Sequence, residues 1–271
     1  MWPVIAHSAA IALGYFCALF LIAQWRRDNS LVDMGWGLGF VVVTSFAFFS
    51  AAHFTPRALV TLLLVAVWGF RLTYHIVRRN WGKPEDFRYA QWREKWGRWV
   101  VPRAFIQVFM LQALFLLVIV YPVLLIQVSA RPGFGFVEIL GVLIWVVGFL
   151  FEAVGDRQLA RFRSNPQNQG KVLRTGLWRY TRHPNYFGEA TMWWGLFVIA
   201  LSVPWGWTGI IGPLTITLLL RFVSGVPMLE KKLRGRPEFD RYARVTNAFV
   251  PWFPKREARA AYKTSNNRTP R

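Results

Sequence analysis

Four polar side chains interrupt two apolar stretches in the C-terminal half of the sequence. Glu152 and Asp156 lie four residues apart in LFEAVGDRQLARFR, and Asn185 and Glu189 have the same spacing in HPNYFGEATMWW. Residues four apart share one face of a helix. A carboxylate inside a membrane segment is costly unless it faces a bundle interior and has partners, so each acid is a candidate functional residue. The alternative is that these side chains only join neighbouring helices by hydrogen bonds.

A basic cluster directly precedes the second of these pairs. Arg179, Arg182 and His183 come just before Pro184, which suits the first position of a helix because its φ is fixed and its N–H is missing. A helix N-terminus presents unpaired N–H groups and a partial positive charge, so we predict an anion-binding site here. Three further basic residues of this region can contribute: Arg163, Lys171 and Arg174. Together they favour a phosphate over a carboxylate.

A second group of polar residues lies in the N-terminal part. Asp33 begins an apolar run in NSLVDMGWGLGF, and Arg71, Tyr74 and His75 lie at one end of another in WGFRLTYHIVRR. Removal from water favours the protonated form of a carboxyl group, so Asp33 or Glu189 is a plausible proton donor, with Arg71 and Tyr74 in support. Arg71 could pair with Asp33 or Glu189. Alternatively, it could extend to the membrane surface.

Long apolar segments must position these residues. Hydrophobic residues make up 54% of the 271-residue chain, which is high for a soluble domain. Runs of about 20 apolar residues, enough to cross a hydrocarbon core of roughly 30 Å, recur along it. We place them at 4–24, 32–52, 57–77, 103–128, 136–155, 186–203 and 206–224. The predicted fold is an all-α bundle of about seven transmembrane helices.

The positions of the basic residues account for the net charge of +20. Lys and Arg are concentrated in 78–103, 156–182 and 230–271, whereas the alternate loops hold only Arg57 and Arg131. The positive-inside rule then predicts an external N-terminus, and cytoplasmic basic loops and C-terminus. Because topology explains the charge, nucleic acid is not an expected partner. Membrane lipids are expected partners, and the oligomeric state is left open.

The remaining features add little chemistry. Cys17 is the only cysteine, so the chain forms no internal disulfide and no cysteine-based metal site, and we predict no metal. GWGLG at 35–39 has the opening spacing of a dinucleotide-binding motif but lacks the strand and helix context, so we interpret it as close helix packing. We interpret the first apolar run as a retained span.

Two segments outside the spans are expected to be helical. Residues 85–99 are predicted to form a helix at the membrane interface, and its polar residues either anchor it there or close over a pocket: Glu85, Asp86, Arg88 and Tyr89. The segment after the last span is predicted to form two short helices, broken at Gly235 and Pro237.

Three stretches resemble the steroid 5α-reductase superfamily, and more narrowly its bacterial membrane proteins of the DUF1295 type. They are EAVGDRQLARFR at 152–163, GLWRYTRHPNYFGE at 176–189 and PEFDRYARVTNAFVPWFP at 237–254. The resemblance implies a bundle of seven or more membrane helices that binds NADPH in a cavity facing the cytoplasm. We therefore expect a protein of the bacterial inner membrane, with one domain over 1–254, its cofactor-binding part at 150–254, and a disordered basic tail at 255–271.

The resemblance implies an NADPH-dependent oxidoreductase that acts on a CH–CH group of a hydrophobic lipid, similar to 3-oxo-5α-steroid 4-dehydrogenase. Asp156, Arg163, Asn185 and Glu189 match the family's cofactor-contacting residues without a gap. Arg182 and His183 are then expected to reach the phosphates or ribose. With neighbouring polar residues, the expected cofactor-binding set is Glu152, Asp156, Arg163, Lys171, Arg174, Arg179, Arg182, His183, Asn185, Tyr186, Glu189, Arg241 and Tyr242.

The sequence departs from the steroid enzymes on the substrate side. Those enzymes pair an acid of the second span with a tyrosine of the third to hold the substrate's keto oxygen. Asp33 is similar in position to the acid, but Trp68 takes the place of the tyrosine, and Thr246 that of a C-terminal cofactor arginine. We expect Trp36 and Trp68 to contact the substrate, Asp33 to act on it and Glu189 to orient the nicotinamide amide.

Two other functions remain open from the sequence. The Arg-His-Pro-x-Tyr stretch at 182–186 is also similar to that of isoprenylcysteine and phospholipid methyltransferases, for which the cofactor is S-adenosylmethionine. Those enzymes tend to carry a Glu-Glu pair near the C-terminus, where this chain has Leu229-Glu230-Lys231. The third possibility is a lipid-binding protein without catalysis.

Overall fold

The structure is a computed structural model that describes residues 2–255. Over that range it consists of helices and their connecting loops, which confirms the all-α class. Eight helices follow one another, of which the fourth and the seventh are built from several segments: α1 Trp2–Arg26, α2 Leu31–Ala51, α3 Pro56–Asn80, α4 Phe87–Gln127, α5 Phe136–Ser164, α6 Pro184–Ala200, α7 Gly206–Leu233 and α8 Pro237–Val245. The predicted tail at 255–271 lies outside the described residues except for Lys255.

Within residues 2–255, six helices, α1 to α5 and α7, are long and apolar enough to cross a membrane. Helix α6 coincides with the sixth predicted span and has 17 residues, at the short end of the range of roughly 17–25 for a transmembrane helix. The chain is therefore a polytopic helical membrane protein. The count of seven spans and the external N-terminus stay predictions.

Two helices contain irregular turns. In α4, a 3₁₀ turn at Gly97–Trp99 and a π-helical turn at Phe105–Met110 separate the polar first part from the apolar remainder. The first part, Phe87–Trp96, is the helix that was predicted within 85–99. In α7, a π-helical turn at Leu219–Val223 precedes the regular segment Val226–Leu233. The predicted break before α8 is confirmed, since no helix covers Gly235 and α8 begins at Pro237.

Packing divides the described chain into two compact units. The first unit contains residues 2–146 and 191–216, and the second contains 147–190 and 217–255. The first thus holds α1 to α4, and the second holds α8 and the loops on either side of it. The prediction of a single domain over 1–254 stays a prediction.

Backbones approach closely where α2 crosses α3 in the first unit. A Cβ atom added to Gly37 would lie 2.5 Å from the carbonyl oxygen of Gly69, and one added to Gly69 would lie 2.6 Å from that of Gly37. No side chain fits at this crossing, because such distances are far below van der Waals contact. The close packing predicted for GWGLG is confirmed.

Replacing Gly37 by Val is expected to lower the free energy of unfolding by about 1–3 kcal/mol, because the added carbons must push α2 and α3 apart. Thermal unfolding in detergent measures the change. Gly14→Val in α1 is the matched control, since nothing lies within 4 Å of a Cβ at Gly14. Equal effects of the two substitutions would contradict the steric explanation.

A buried ion pair joins the start of α3 to the start of α5 in the first unit. Both side chains, Arg57 and Glu138, are only 4% exposed, and the Nε of Arg57 donates to Glu138 over 2.7 Å. Arg57 also donates to the carbonyl oxygen of Arg131, and the backbone N–H of Gly135 donates to Glu138 over 2.8 Å. Arg57 is thus an internal partner of Glu138, which the charge count along the sequence did not reveal.

Candidate functional site

The C-terminal part of α5 packs closely on the start of α6 within the second unit. A Cβ added to Gly188 would lie 2.4 Å from the carbonyl oxygen of Gly148 and 2.5 Å from the backbone nitrogen of Glu152. A Cβ at Gly155 would lie 3.1 Å from the ring of Pro184. These glycines allow the two polar faces predicted from the sequence to approach one another.

The two polar pairs form a buried cluster on these helices. The side-chain amide of Asn185 donates to Asp156 over 3.2 Å. Glu152, Asp156 and Glu189 are buried, with exposed fractions of 2%, 8% and 8%. The Oδ1 atom of Asn185 is buried and has no hydrogen-bond partner in the structure. The site therefore holds several acceptors, of which Asn185 Oδ1 can take a donor from a ligand.

The turn before α6 is held by an ion-pair network that the sequence did not suggest. The guanidinium of Arg182 donates to both carboxylate oxygens of Glu230 in α7, over 2.8 and 3.1 Å. It also donates to the carbonyl oxygens of Ala243 and Thr246. His183 Nε2 lies 3.1 Å from Glu230, and since a carboxylate only accepts, the imidazole donates. Glu230 thus secures the residues just before Pro184, where α6 begins as predicted.

Other residues close the same region from the C-terminal side. The hydroxyl of Tyr242 donates to the carbonyl oxygen of Trp178, whose indole N–H donates to the carbonyl oxygen of Gly155. Burial raises the pKa of Tyr242 well above its usual range. The ring of Tyr186 stacks on that of His183 at 5.5 Å between centroids. Tyr242, predicted to contact a cofactor, therefore directs its hydroxyl to the backbone.

The other basic residues predicted for the site are exposed. These are Arg163, Lys171, Arg174, Arg179 and Arg241. Arg174 forms an ion pair with Glu238 at 3.2 Å. An open groove of about 610 Å³ lies beside α8, with Arg182, Glu230, Arg234, Asp240 and Arg244 among its lining residues. Anionic groups can reach these exposed side chains from solvent.

Stability is expected to fall at mildly acidic pH because of His183. Burial lowers the pKa of its imidazole; the hydrogen bond and charge of Glu230 oppose this shift, and Arg182 and Arg221 add to it. The unfolded imidazole, with a pKa of about 6.5, then binds its proton at higher pH than the folded one. The contribution of His183 to the free energy of unfolding is therefore present above about pH 6.5 and is lost as the pH falls below that value. Thermal midpoints at about pH 7.5 and about pH 5.5 measure the loss. The thermal midpoint of the variant His183→Gln should fall less between these two pH values than that of the unmodified protein. An equal fall in both proteins would contradict the assignment to His183.

A second polar cluster lies within the first unit. Asp33 accepts hydrogen bonds from Arg88 over 2.6 Å and from the hydroxyl of Tyr89 over 2.8 Å. Both donors come from the first turn of α4, where the side chain of Asp86 accepts from the backbone N–H of Arg88 and so caps the helix. Burial raises the pKa of Asp86, but hydrogen bonds and charge from Arg88 outweigh it, and the net shift is downward.

The loop between α1 and α2 is fixed on the same part of α4. Glu85 accepts from the backbone N–H of Asn29 over 2.7 Å and from Arg93 through both of its carboxylate oxygens, each over 2.9 Å. Arg93 also donates to the carbonyl oxygen of Arg27. The polar residues of 85–99 thus hold the start of α2, which carries Asp33.

The other residues of the first unit that were predicted to act on or contact the substrate lie on α2 and α3. The hydroxyl that donates to Asp33 belongs to Tyr89 and not to Tyr74, which is 63% exposed on α3. Trp68 is buried between Phe40 and Trp193, with ring centroids 5.2 and 5.3 Å away. Trp36 packs against Phe40 at 5.1 Å. The two tryptophans predicted to contact substrate thus pack in an aromatic core, and Arg71 and His75 lie half-buried on α3.

The helices and their packing define a polytopic helical membrane protein. The chain belongs to the DUF1295 family, a family of proteins of unknown function whose model matches residues 19–246. This confirms the resemblance read from the sequence, at the level of the family.

Individual relatives are distant. An uncharacterised protein of Schizosaccharomyces pombe is 22% identical over 228 residues, which cover 72% of this chain and 66% of that protein. A steroid 5α-reductase of Arabidopsis thaliana is 31% identical over 72 residues, covering 27% of this chain and 26% of the enzyme. Bovine 3-oxo-5α-steroid 4-dehydrogenase 1 is 33% identical over 67 residues, covering 25% of this chain and 26% of the enzyme. No solved structure shows a significant match.

Proposed function

We propose that this protein is an NADPH-dependent membrane reductase that acts on an activated C=C bond of a hydrophobic lipid, such as a steroid, sterol or isoprenoid enone. The observation that carries the proposal is the buried cluster of α5 and α6, in which Asn185 meets Asp156. These residues occupy the positions of the cofactor-contacting residues in the resemblance to steroid reductases. Partial similarity to two enzymes of that name supports the same class of reaction.

The buried cluster fits the nicotinamide end of the cofactor. A carboxamide NH₂ or a ribose hydroxyl would satisfy the Oδ1 atom of Asn185, which otherwise has no partner. The carboxylates of Glu152, Asp156 and Glu189 provide further acceptors in buried positions. We assign to Glu189 the orientation of the carboxamide.

The exposed basic side chains fit the phosphates. Arg163, Lys171, Arg179 and Arg241 are open to solvent and carry the charge that phosphate groups require. Arg182 and His183 have another role in the proposal, because their N–H groups are directed to Glu230 and to backbone carbonyls. They hold the turn from which α6 begins, and Asn185 and Glu189 lie in the first turns of that helix.

The polar cluster of Asp33, Arg88 and Tyr89 carries hydrogen-bond donors of the kind that a carbonyl substrate requires. When bound, NADPH supplies a hydride to the electron-poor carbon of the lipid. Negative charge then develops on the conjugated carbonyl oxygen, and aligned donors lower the barrier. Arg88 and Tyr89 are the donors of this cluster, and the single O–H of Tyr89, which meets Asp33 in the structure, would turn to the substrate oxygen when the lipid binds. Asp33 accepts from both and forms an ion pair with Arg88, so we assign it a positioning role in place of the proton transfer predicted from the sequence.

Cofactor titration tests the proposal. The protein, purified in detergent, is titrated with NADPH and separately with S-adenosylmethionine, and thermal stability is measured. Stabilisation by NADPH is the expected result. Stabilisation by S-adenosylmethionine alone would overturn the reductase in favour of a methyltransferase, and no response to either would favour a non-catalytic lipid-binding protein.

Replacing Asn185 by Ala is expected to weaken NADPH binding about tenfold, because the substitution removes the buried acceptor and the hydrogen bond to Asp156. The dissociation constant from the same titration measures the effect. Asn247→Ala is the matched control, since Asn247 is exposed and its side chain makes no hydrogen bond in the structure. An unchanged affinity in the Asn185 variant would remove this residue from the site.

A further inference from the structure

The segment that follows α8 forms a closed loop on the second unit. The backbone N–H of Lys255 donates to the carbonyl oxygen of Val245 over 2.8 Å, which closes residues 246–254 into a loop. Several hydrogen bonds also join the loop to the turn before α6. Trp252 N–H donates to Tyr180, Arg182 N–H donates to Asn247, and the Thr181 hydroxyl donates to Phe249.

The tip of this loop presents large apolar side chains to the outside. Val250, Trp252 and Phe253 are 59%, 68% and 75% exposed. The ring of Phe253 makes only an edge contact with Tyr180, at 5.9 Å between centroids. Three adjacent exposed apolar side chains on a loop that is rigidly held by its backbone indicate a contact with something outside the unit.

Basic residues surround this tip. Arg244 and Lys255 lie at the neck of the loop, and both are exposed. Lys255 forms the closing hydrogen bond to Val245, and Arg244 directly precedes Val245 in the chain. Arg179 is exposed and lies over the ring of Tyr180, the residue that contacts Phe253. Trp and Phe with adjacent Lys and Arg are the residues that favour a membrane interface, where rings enter the headgroup layer and cations meet anionic lipid.

We infer that residues 250–253 are a lipid anchor that inserts through the headgroup layer of an anionic bilayer to the top of its acyl chains. The partner is the bilayer surface, because the tip combines aromatic and aliphatic side chains with a rim of positive charge. The anchor also acts on the residues that precede α6, since the loop is bonded to residues 180–182. This inference rests on the loop and on the exposed Arg244 and Lys255 at its neck, and it shares only Arg179 with the proposed function.

Spin labelling in lipid vesicles tests the anchor. Cys17 is the only cysteine, so Cys17→Ser provides a background in which Val250→Cys carries the label while Trp252 and Phe253 remain. Thr175→Cys, an exposed position on another loop of the same unit, is the matched control. The vesicles contain phosphatidylglycerol or only phosphatidylcholine, and collision of the label with oxygen and with a water-soluble nickel complex is compared. Unchanged thermal midpoints show that each variant is folded.

The expected result is that oxygen dominates at position 250 in phosphatidylglycerol vesicles and the nickel complex dominates at position 175. The additional substitutions Trp252→Ser and Phe253→Ser should reverse the preference at position 250. Dominance of the nickel complex at position 250 in the starting variant would overturn the anchor. If both reagents were excluded and the labels broadened each other's spectra by dipolar coupling, a second copy of the chain would cover the tip. That result would also overturn the lipid anchor. If the label at position 250 reached the same depth in phosphatidylcholine vesicles as in phosphatidylglycerol vesicles, the basic rim would have no part in the insertion.

Discussion

Replacing Tyr89 by Phe is expected to lower the turnover of a lipid enone by about 10²- to 10³-fold and to leave the affinity for NADPH unchanged. The substitution removes the hydroxyl that donates to Asp33 over 2.8 Å. It keeps the ring, which packs edge-on against Trp92 at 5.4 Å, so the fold should be preserved. The measurement is the rate of NADPH consumption in proteoliposomes, compared with NADPH binding by the same preparation.

Tyr74→Phe provides the matched control for this prediction. It removes the same hydroxyl from a tyrosine that is 63% exposed on α3, and turnover should remain at the level of the unmodified protein. If the Tyr89 variant also kept its full turnover, Tyr89 would not be the donor to the substrate. A loss of turnover in the Tyr74 variant alone would restore the role predicted for that residue from the sequence.

Replacing Glu138 by Ala is expected to lower the free energy of unfolding by about 3–5 kcal/mol. The reason is that Arg57 would keep its charge in a position where its side chain is only 4% exposed and would lose its carboxylate partner. The backbone N–H of Gly135 would lose its acceptor as well. Unfolding in mixed detergent micelles, followed by circular dichroism, measures the change.

Two further variants show whether the buried charge is the cause. Glu94→Ala makes the same chemical change at an exposed position of α4 and should shift the free energy of unfolding by no more than about 0.5 kcal/mol. Combining Arg57→Met with Glu138→Met removes both charges and should recover much of the loss, because apolar pairs often replace buried ion pairs at little cost. A double variant as unstable as Glu138→Ala would contradict this explanation.

Features that depend on neighbouring residues were predictable from the sequence. Pro184 begins α6 because its fixed φ suits that position, and the break before Pro237 follows from the same local chemistry. The close approach at Gly37 follows from small residues within an apolar run. Asp156 and Asn185 were predicted together because each is polar in an apolar helix. In all these cases the signal lies within a few residues of the position concerned.

Partners that depend on which helices meet were not predictable in this way. Asp33 and Tyr89 are 56 residues apart in the sequence, and no periodicity within α2 or α4 indicates that the two helix ends are neighbours. Glu230 is 47 residues from His183, and its local surroundings suggest only a charged helix face. A count of basic residues assigns Arg57 to a loop, because such a count contains no information about Glu138. Each of these pairs is fixed by tertiary packing.

The network at Arg182, His183 and Glu230 shows what the Arg-His-Pro-x-Tyr motif does in this chain. In this chain the arginine and the histidine secure the turn before a helix, the proline begins that helix, and the tyrosine stacks on the histidine. In this chain the motif therefore has an architectural role, because its arginine and histidine donate to Glu230 and to backbone carbonyl oxygens. In the proposed function, the cofactor is recognised by the positions that this architecture presents, Asn185 and Glu189 after the motif and Asp156 on the facing helix.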